Sequence, residues 1–264
     1  MSYCLICLPR RLHLWLGWCI GWLITNSNIK RTAIVRSYLD LFQSPMTAMK
    51  AYSHHFGVQC LELFLWPYWG SLLKHWVDTD EVFNDMVQQK NPVFLTAHIG
   101  NWEILPSFVA SFGQIVHCVY KHEPHHFNWL VHFRVHQNIK IWEASTQIRD
   151  MLRAWQAGGA LGLVCDHGHG LDARILDQVV DLPSGAFRLA SRSKNGVYFL
   201  WAQRQGLRFK IHTVVLAKPG EQLQSQQLAK RYAKALSDAI QSCPEQYYWR
   251  VDPWRLFQHL LGRS

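Results

Sequence analysis

A chain of 264 residues, 49% of them apolar, suffices for one domain with a sizeable core and gives no linker or repeat that calls for a second. Its formal charge of +9 and its thirteen tryptophans suit an anionic partner at a boundary that is apolar on one side and wet on the other, although a solvated basic face fits the same charge. Seven cysteines, an odd number scattered through apolar stretches, argue against a disulfide framework and for a reducing compartment.

Cys4 and Cys7 form a C-x-x-C without a second pair at zinc-site spacing, and read as apolar fillers. Residues 12–25 are the most hydrophobic window, behind Pro9-Arg10-Arg11. The window is shorter than the roughly 20 residues a spanning helix needs, and no small-residue cleavage site follows it. The reading is an uncleaved membrane-associating segment over residues 1–28, with Arg10 and Arg11 on the cytoplasmic side; a buried core helix is the other reading. Residues 29–264 then form the single remaining domain. Helices are expected over 29–43 and 45–76, the second rich in aromatic residues around Glu62.

Val93 to Ala97 is an apolar run long enough for one buried strand, and His98 falls where that strand ends. Gly100 breaks the chain, and Asn101 is placed to N-cap a helix running towards Gly113, with Glu103 in its first turn. His98 and Glu103 have the spacing H-x-x-x-x-E. On one continuous helix that separation is about 500° of rotation, so the two meet only if His98 lies on the turn before the helix. A carboxylate on one imidazole nitrogen then leaves the other as a base facing a cleft. The same spacing also fits a histidine that ends a strand and a glutamate that favours a helix start.

Strands and helices alternate from there: strands at Ile115–Tyr120, Asn138–Trp142 and Ala160–Cys165, with a helix at Gln147–Ala157 stopped by Gly158-Gly159. Asp166-His167-Gly168 ends the third of these strands. A helix over Ser184–Lys194, strands over Gly196–Ala202 and Arg208–Leu216, and a helix over 223–242 complete the pattern. The expected fold is α/β, with catalytic groups at strand ends.

Four ordered blocks carry a family resemblance: Thr-Ala-His-Ile-Gly-Asn-Trp-Glu around His98; Asp166; Pro183-Ser184-Gly185-Ala186-Phe187-Arg188-Leu189-Ala190; and Pro244-Glu245-Gln246-Tyr247-Tyr248-Trp249. Together with Leu8-Pro9-Arg10-Arg11, the Arg36–Phe42 stretch and the Glu62 segment, they resemble the lipid A late acyltransferases of the lysophospholipid acyltransferase superfamily. The resemblance implies a mixed central sheet flanked by helices and acyl transfer at the cytoplasmic face of the inner membrane. The donor it implies is an acyl carrier protein or CoA thioester and the acceptor a membrane lipid hydroxyl. It makes His98 the general base and Glu103 the group that orients it. It implies direct attack without a covalent intermediate, and no metal or other cofactor. Gly100 and Asn101 become candidates for stabilising the oxyanion, while Lys121, Asp166 and Arg188 become candidates for substrate contact, Arg188 towards phosphate. Gln246, Tyr247 and Trp249 are expected to pack the end of the sheet.

The chain departs from the family pattern at Asp166-His167, at Tyr120-Lys121-His122 and after Trp249, positions where acceptor and donor should be read. Acylation of another specialised membrane lipid, or in a pathway of the aryl-polyene type, is therefore an alternative to lipid A. Two readings of a different class use other residues. His122-Glu123-Pro124-His125-His126 with His132 and His136 resembles the iron-binding boxes of membrane desaturases. The positive charge also allows a non-enzymatic membrane adaptor, while no recognised signature supports nucleic-acid binding.

Overall fold

The computed structural model describes residues 9–41, 47–69, 73–120 and 138–249. Cys4, Cys7, Lys121, the histidines from His122 to His136 and the stretch after Trp249 lie outside the described residues. Numbered along the chain, the strands are β1 (Val77–Asp78), β2 (Val93–Thr96), β3 (Val116–Tyr120), β4 (Ile139–Glu143), β5 (Ala160–Val164), β6 (Gly170–Ile175), β7 (Gln178–Pro183), β8 (Val197–Gln205) and β9 (Arg208–Ala217). The helices are α1 (Arg10–Ser27), α2 (Ile29–Leu41), α3 (Ala48–Trp69), α4 (Leu73–Trp76), α5 (Glu81–Gln88), α6 (Leu105–Ala110), α7 (Ile148–Ala157), α8 (Ser184–Ala190) and α9 (Ser225–Ser242).

The main sheet runs β1–β9–β8–β2–β5–β3–β4. Strands β8, β2, β5, β3 and β4 are mutually parallel, and β9 pairs antiparallel with β8. The run Val-Phe-Leu-Thr of β2 is buried at every position, the pattern of a central strand covered on both faces. Val93 and Leu95 face a core shared with α2, α7, α8 and α9, whereas Phe94 faces the core built with α5 and α6. The expected α/β architecture with a mixed sheet flanked by helices is the one observed.

Three local expectations need correction. The segment 45–76 is divided between α3 and α4. Helix α5 was not foreseen; Asp80 starts it by accepting a hydrogen bond from the Phe83 amide at 2.7 Å. The β6–β7 hairpin was also unforeseen. Its turn residues Leu176 and Asp177 both have positive φ, +49° and +65°, as a type I′ turn requires, but they lack the Asn-Gly signature that announces one.

Helix α1 buries its small and polar edge and exposes its large one. His13, Gly17, Gly21 and Thr25 face inwards, at a repeat of four residues. Trp15, Trp18 and Trp22 lie on the opposite side, 56%, 46% and 56% exposed. The glycines let α1 and α3 touch backbone to backbone: a Cβ on Gly21 would sit 1.8 Å from the Ser53 carbonyl oxygen, and one on Gly57 2.0 Å from that of Gly17. Among the described residues, no helix is long and apolar enough to cross a membrane.

Candidate active site

Strand register brings the two central residues together. Thr96 of β2 pairs with Val164 of β5, so His98 and Asp166, each two residues further on, emerge side by side at the C-terminal ends of adjacent parallel strands. His98 Nδ1 lies 2.8 Å from Asp166 Oδ1, and the His98 backbone N–H donates to Asp166 Oδ2 at 3.0 Å. The Tyr247 hydroxyl donates to the same Oδ2 at 2.8 Å. Burial pushes the Asp166 carboxyl up, but His98 and His167 beside it, with the hydrogen bonds from His98, hold it below the ordinary carboxylate range. Asp166, a candidate for substrate contact, has a fully buried side chain whose two oxygens are engaged by His98 and Tyr247.

The imidazole of His98 is 27% exposed and is boxed by aromatic rings. His167 stacks on it with centroids 4.7 Å apart, and Trp102 meets it edge-on at 4.9 Å. Burial, followed by the competing effects of Asp166 and His98, leaves the His167 pKa lowered. His167 thus packs directly on His98. The expectation that Tyr247 and Trp249 pack the sheet end is met, since both are fully buried, but Tyr247 also fixes Asp166. Sequence reasoning missed that second role.

The turn after His98 is clamped from both sides. Gly100 has φ +61°, and a Cβ there would meet the Ala202 carbonyl oxygen at 2.0 Å, so glycine is required. The Gly100 amide donates to Gln246 O and the Asn101 amide to Ala202 O, each at 2.9 Å. The Asn101 side chain does not cap a helix; its Nδ2 donates to Glu62 Oε2 at 2.7 Å, and a short 3₁₀ turn, Trp102–Ile104, leads into α6. In this structure the Gly100 and Asn101 donors expected at an oxyanion hold the turn in place, engaged by carbonyls and by Glu62.

Glu62 is itself a buried hub. Arg10 reaches its Oε1 at 2.9 Å, Arg204 reaches the same oxygen at 2.8 Å, and Arg204 Nη2 bonds to Oε2. Burial raises the Glu62 pKa, but the two guanidiniums outweigh it and the net shift is downward. Arg10, expected to flank a membrane segment, turns inwards instead and ties α1 to α3.

His55 of α3 meets the Gly100 carbonyl oxygen through Nε2 at 3.2 Å, while its Nδ1 is buried with no hydrogen-bond partner among the described residues. Burial, reinforced by the nearby Arg204 charge, pushes its pKa down to about 3. The unfolded chain, with histidine near 6.5, therefore takes up a proton that the folded chain refuses between these values, and stability rises with pH. Going from pH 7.5 to pH 5 is expected to cost about 2 kcal/mol through this group alone. Urea denaturation across that range should show the slope, and His55→Gln should flatten it; an unchanged slope in the variant would refute the assignment.

Beside His98 opens a cavity of about 470 Å³. Its floor is the sheet face carrying Phe94, Cys118, Ile141 and Gly162, and Trp102 and Pro106 form part of its opposite wall. A Cβ on Gly162 would strike the Phe94 ring at 2.4 Å, so the glycine makes room for that ring. Glu103 and His167 line the same cavity, so the sequence pair His98 and Glu103 does share one cleft, while the carboxylate at Nδ1 comes from Asp166. Arg188 lies elsewhere, on the wall of a neighbouring cavity of about 530 Å³. His98, Asp166 and His167 also bring three potential metal-ligand atoms within 4.8 Å of one another.

A histidine thus stands at the end of a central parallel strand, held by a buried carboxylate and opening on a cavity with an apolar floor, where an imidazole can exchange a proton with a bound molecule. The bacterial lipid A biosynthesis acyltransferase family matches residues 2–255, nearly the whole chain, and the protein belongs to that family. It is accordingly an acyltransferase, and the family's reaction is acyl transfer to a lipid. A comparison with curated proteins finds no match.

Proposed function

We propose that this enzyme moves a fatty acyl chain from a thioester, carried by acyl carrier protein or CoA, to a hydroxyl of a membrane lipid of the lipid A type. The observation that carries the reading is the His98 imidazole, held at Nδ1 by buried Asp166, on the wall of a cavity with an apolar floor. With Nδ1–H donated to Asp166, Nε2 takes the proton of the acceptor hydroxyl. The oxygen attacks the thioester carbonyl, the tetrahedral intermediate collapses with loss of thiolate, and the proton on His98 passes to the sulfur. No acyl-enzyme forms and no metal takes part. Glu103, on the cavity wall, adds a second carboxylate that favours the imidazolium formed in the transition state. The acyl chain lies along Phe94, Cys118 and Ile141.

The N-terminal segment, residues 1–28, lies in the interface of the cytoplasmic face of the inner membrane, with Trp15, Trp18 and Trp22 at headgroup depth. Their exposure and the overall charge of +9 support this. Replacing the three with alanine is expected to weaken sedimentation with phosphatidylglycerol vesicles by about tenfold or more at unchanged melting temperature. Equal sedimentation would remove α1 from the membrane contact.

The reaction is tested by mass spectrometry of lipid A and total membrane lipids from cells expressing the wild type or His98→Ala, together with purified enzyme and lauroyl acyl carrier protein. A species heavier by one acyl chain, formed by the wild type and missing with His98→Ala, is expected. The same species formed by His98→Ala would overturn the base assignment.

A further inference from the structure

His167 lines the catalytic cavity without a task in the proton transfer. With His98 and Asp166 it offers one ligand atom of three that lie within 4.8 Å of one another. Asp166 is fully buried, and no lysine or arginine pairs with it among the described residues; its neighbours are two imidazoles and a phenol. His167 Nε2 is buried 3.7 Å from Asp166 Oδ2, with no hydrogen-bond partner among the described residues. That gap is too long for a hydrogen bond, whereas two donors on one tetrahedral zinc ion stand roughly 3.4 Å apart. A buried carboxylate that lacks a cation, next to a buried nitrogen that lacks a partner, is a setting in which a cation offsets the cost of both.

We propose that His98, Asp166 and His167 form an inhibitory site for a borderline transition-metal dication, Zn²⁺ foremost, held against the carboxylate between the two rings. Two imidazoles and one carboxylate, with a fourth position left to water, suit Zn²⁺ and give Mg²⁺ or Ca²⁺ too few oxygens. The ion takes the place of the 2.8 Å hydrogen bond between His98 Nδ1 and Asp166 Oδ1. A neutral ring ligated at Nδ1 carries its proton at Nε2, so the nitrogen meant to take the acceptor's proton becomes a donor and the base is lost. The ion is thus a reversible stop and not a participant in turnover. Only this inhibition rests on the acyl-transfer reading; the binding site does not.

The full-length protein, freed of metal with a chelator, is titrated with Co²⁺ followed by visible absorbance and with Zn²⁺ against a chromophoric chelator. The wild type is expected to show the intense bands of four-coordinate Co²⁺, which Zn²⁺ abolishes and Mg²⁺ does not. His167→Gln is expected to remove those bands and to weaken the tightest Zn²⁺ binding by at least about tenfold, since even an outer-sphere partner is worth about 10- to 100-fold. Bands and affinity unchanged in His167→Gln would place the ion elsewhere, for instance on the histidines between His122 and His136, and overturn the site. An unchanged melting temperature identifies a folded variant, and His98→Ala, read by binding alone, should lose the same bands. In the transfer assay, Zn²⁺ is expected to lower wild-type kcat by about 10²-fold at unchanged KM, with full recovery on chelation. His167→Gln should need at least about tenfold more Zn²⁺ for the same fractional loss. Full turnover with Zn²⁺ bound at the three residues would overturn the inhibition and leave the site. Should the wild type bind Zn²⁺ there and transfer no acyl chain without it, the acyl-transfer reading falls and the site stands.

Discussion

Asp166→Asn is expected to lower the turnover of acyl transfer by about 10³- to 10⁴-fold while the protein stays folded. The carboxylate does two things at once: it accepts the Nδ1–H of His98 and it accepts the backbone N–H of the same residue. An asparagine can retain the backbone contact through its oxygen. Its amide then turns a donor towards Nδ1, which favours the tautomer protonated at Nε2 and removes the base. The defect should fall on kcat more than on KM, because Asp166 is buried and acts through His98, and it should relax as the pH is raised only if a hydroxide route takes over. Tyr247→Phe leaves Oδ2 one donor short at 2.8 Å and is expected to cost about tenfold. The comparison that decides between the two carboxylates is Glu103→Gln, expected to lose less than Asp166→Asn because it leaves the Nδ1 partner in place. Should Glu103→Gln lose 10³-fold and Asp166→Asn less than about tenfold, Glu103 is the orienting group and Asp166 belongs to the scaffold.

Glu62→Leu should be the most destabilising single change, by about 3–5 kcal/mol, because it leaves two buried guanidiniums facing each other without their counter-charge. For a protein of this size that corresponds to a fall in melting temperature of about 10 °C or more. The same change releases the Asn101 side chain, so the turn carrying His98 loses one of its anchors. A triple variant that also replaces Arg10 and Arg204 with methionine should recover most of the lost stability, since the cost comes from unpaired charge and not from lost volume. It should not recover activity, because Asn101 stays unanchored. A triple variant no more stable than Glu62→Leu would mean that the hub stabilises through its packing, and a fully active one would separate Glu62 from the catalytic turn.

Local pattern carried much of the architecture. Val93 to Ala97 read as a buried strand and Gly158-Gly159 as a helix stop, because apolar runs and helix-stopping glycines act within a few residues. The β6–β7 hairpin escaped for a local reason as well: Leu176-Asp177 adopts a backbone that the favoured turn residues would have advertised. The place of His98 at a strand end was legible, and with it the candidate base. Its partner was read as Glu103, five positions away, because sequence spacing shows only near neighbours, and Glu103 does line the same cavity. Asp166 enters from 68 residues downstream, through the pairing of Thr96 with Val164, and Tyr247 from 81 residues beyond that. Arg10, Glu62 and Arg204 form a hub across 194 residues of chain for the same reason, where sequence suggested a membrane flank for Arg10. What the sequence determined by itself was therefore the strand, the turn and the chemistry of a histidine placed there, all set by short-range sterics and hydrophobic periodicity. Which carboxylate orients that histidine, which donors hold the turn and where the arginines gather were decided only by strand register and burial, because parallel pairing joins residues that no local signal connects.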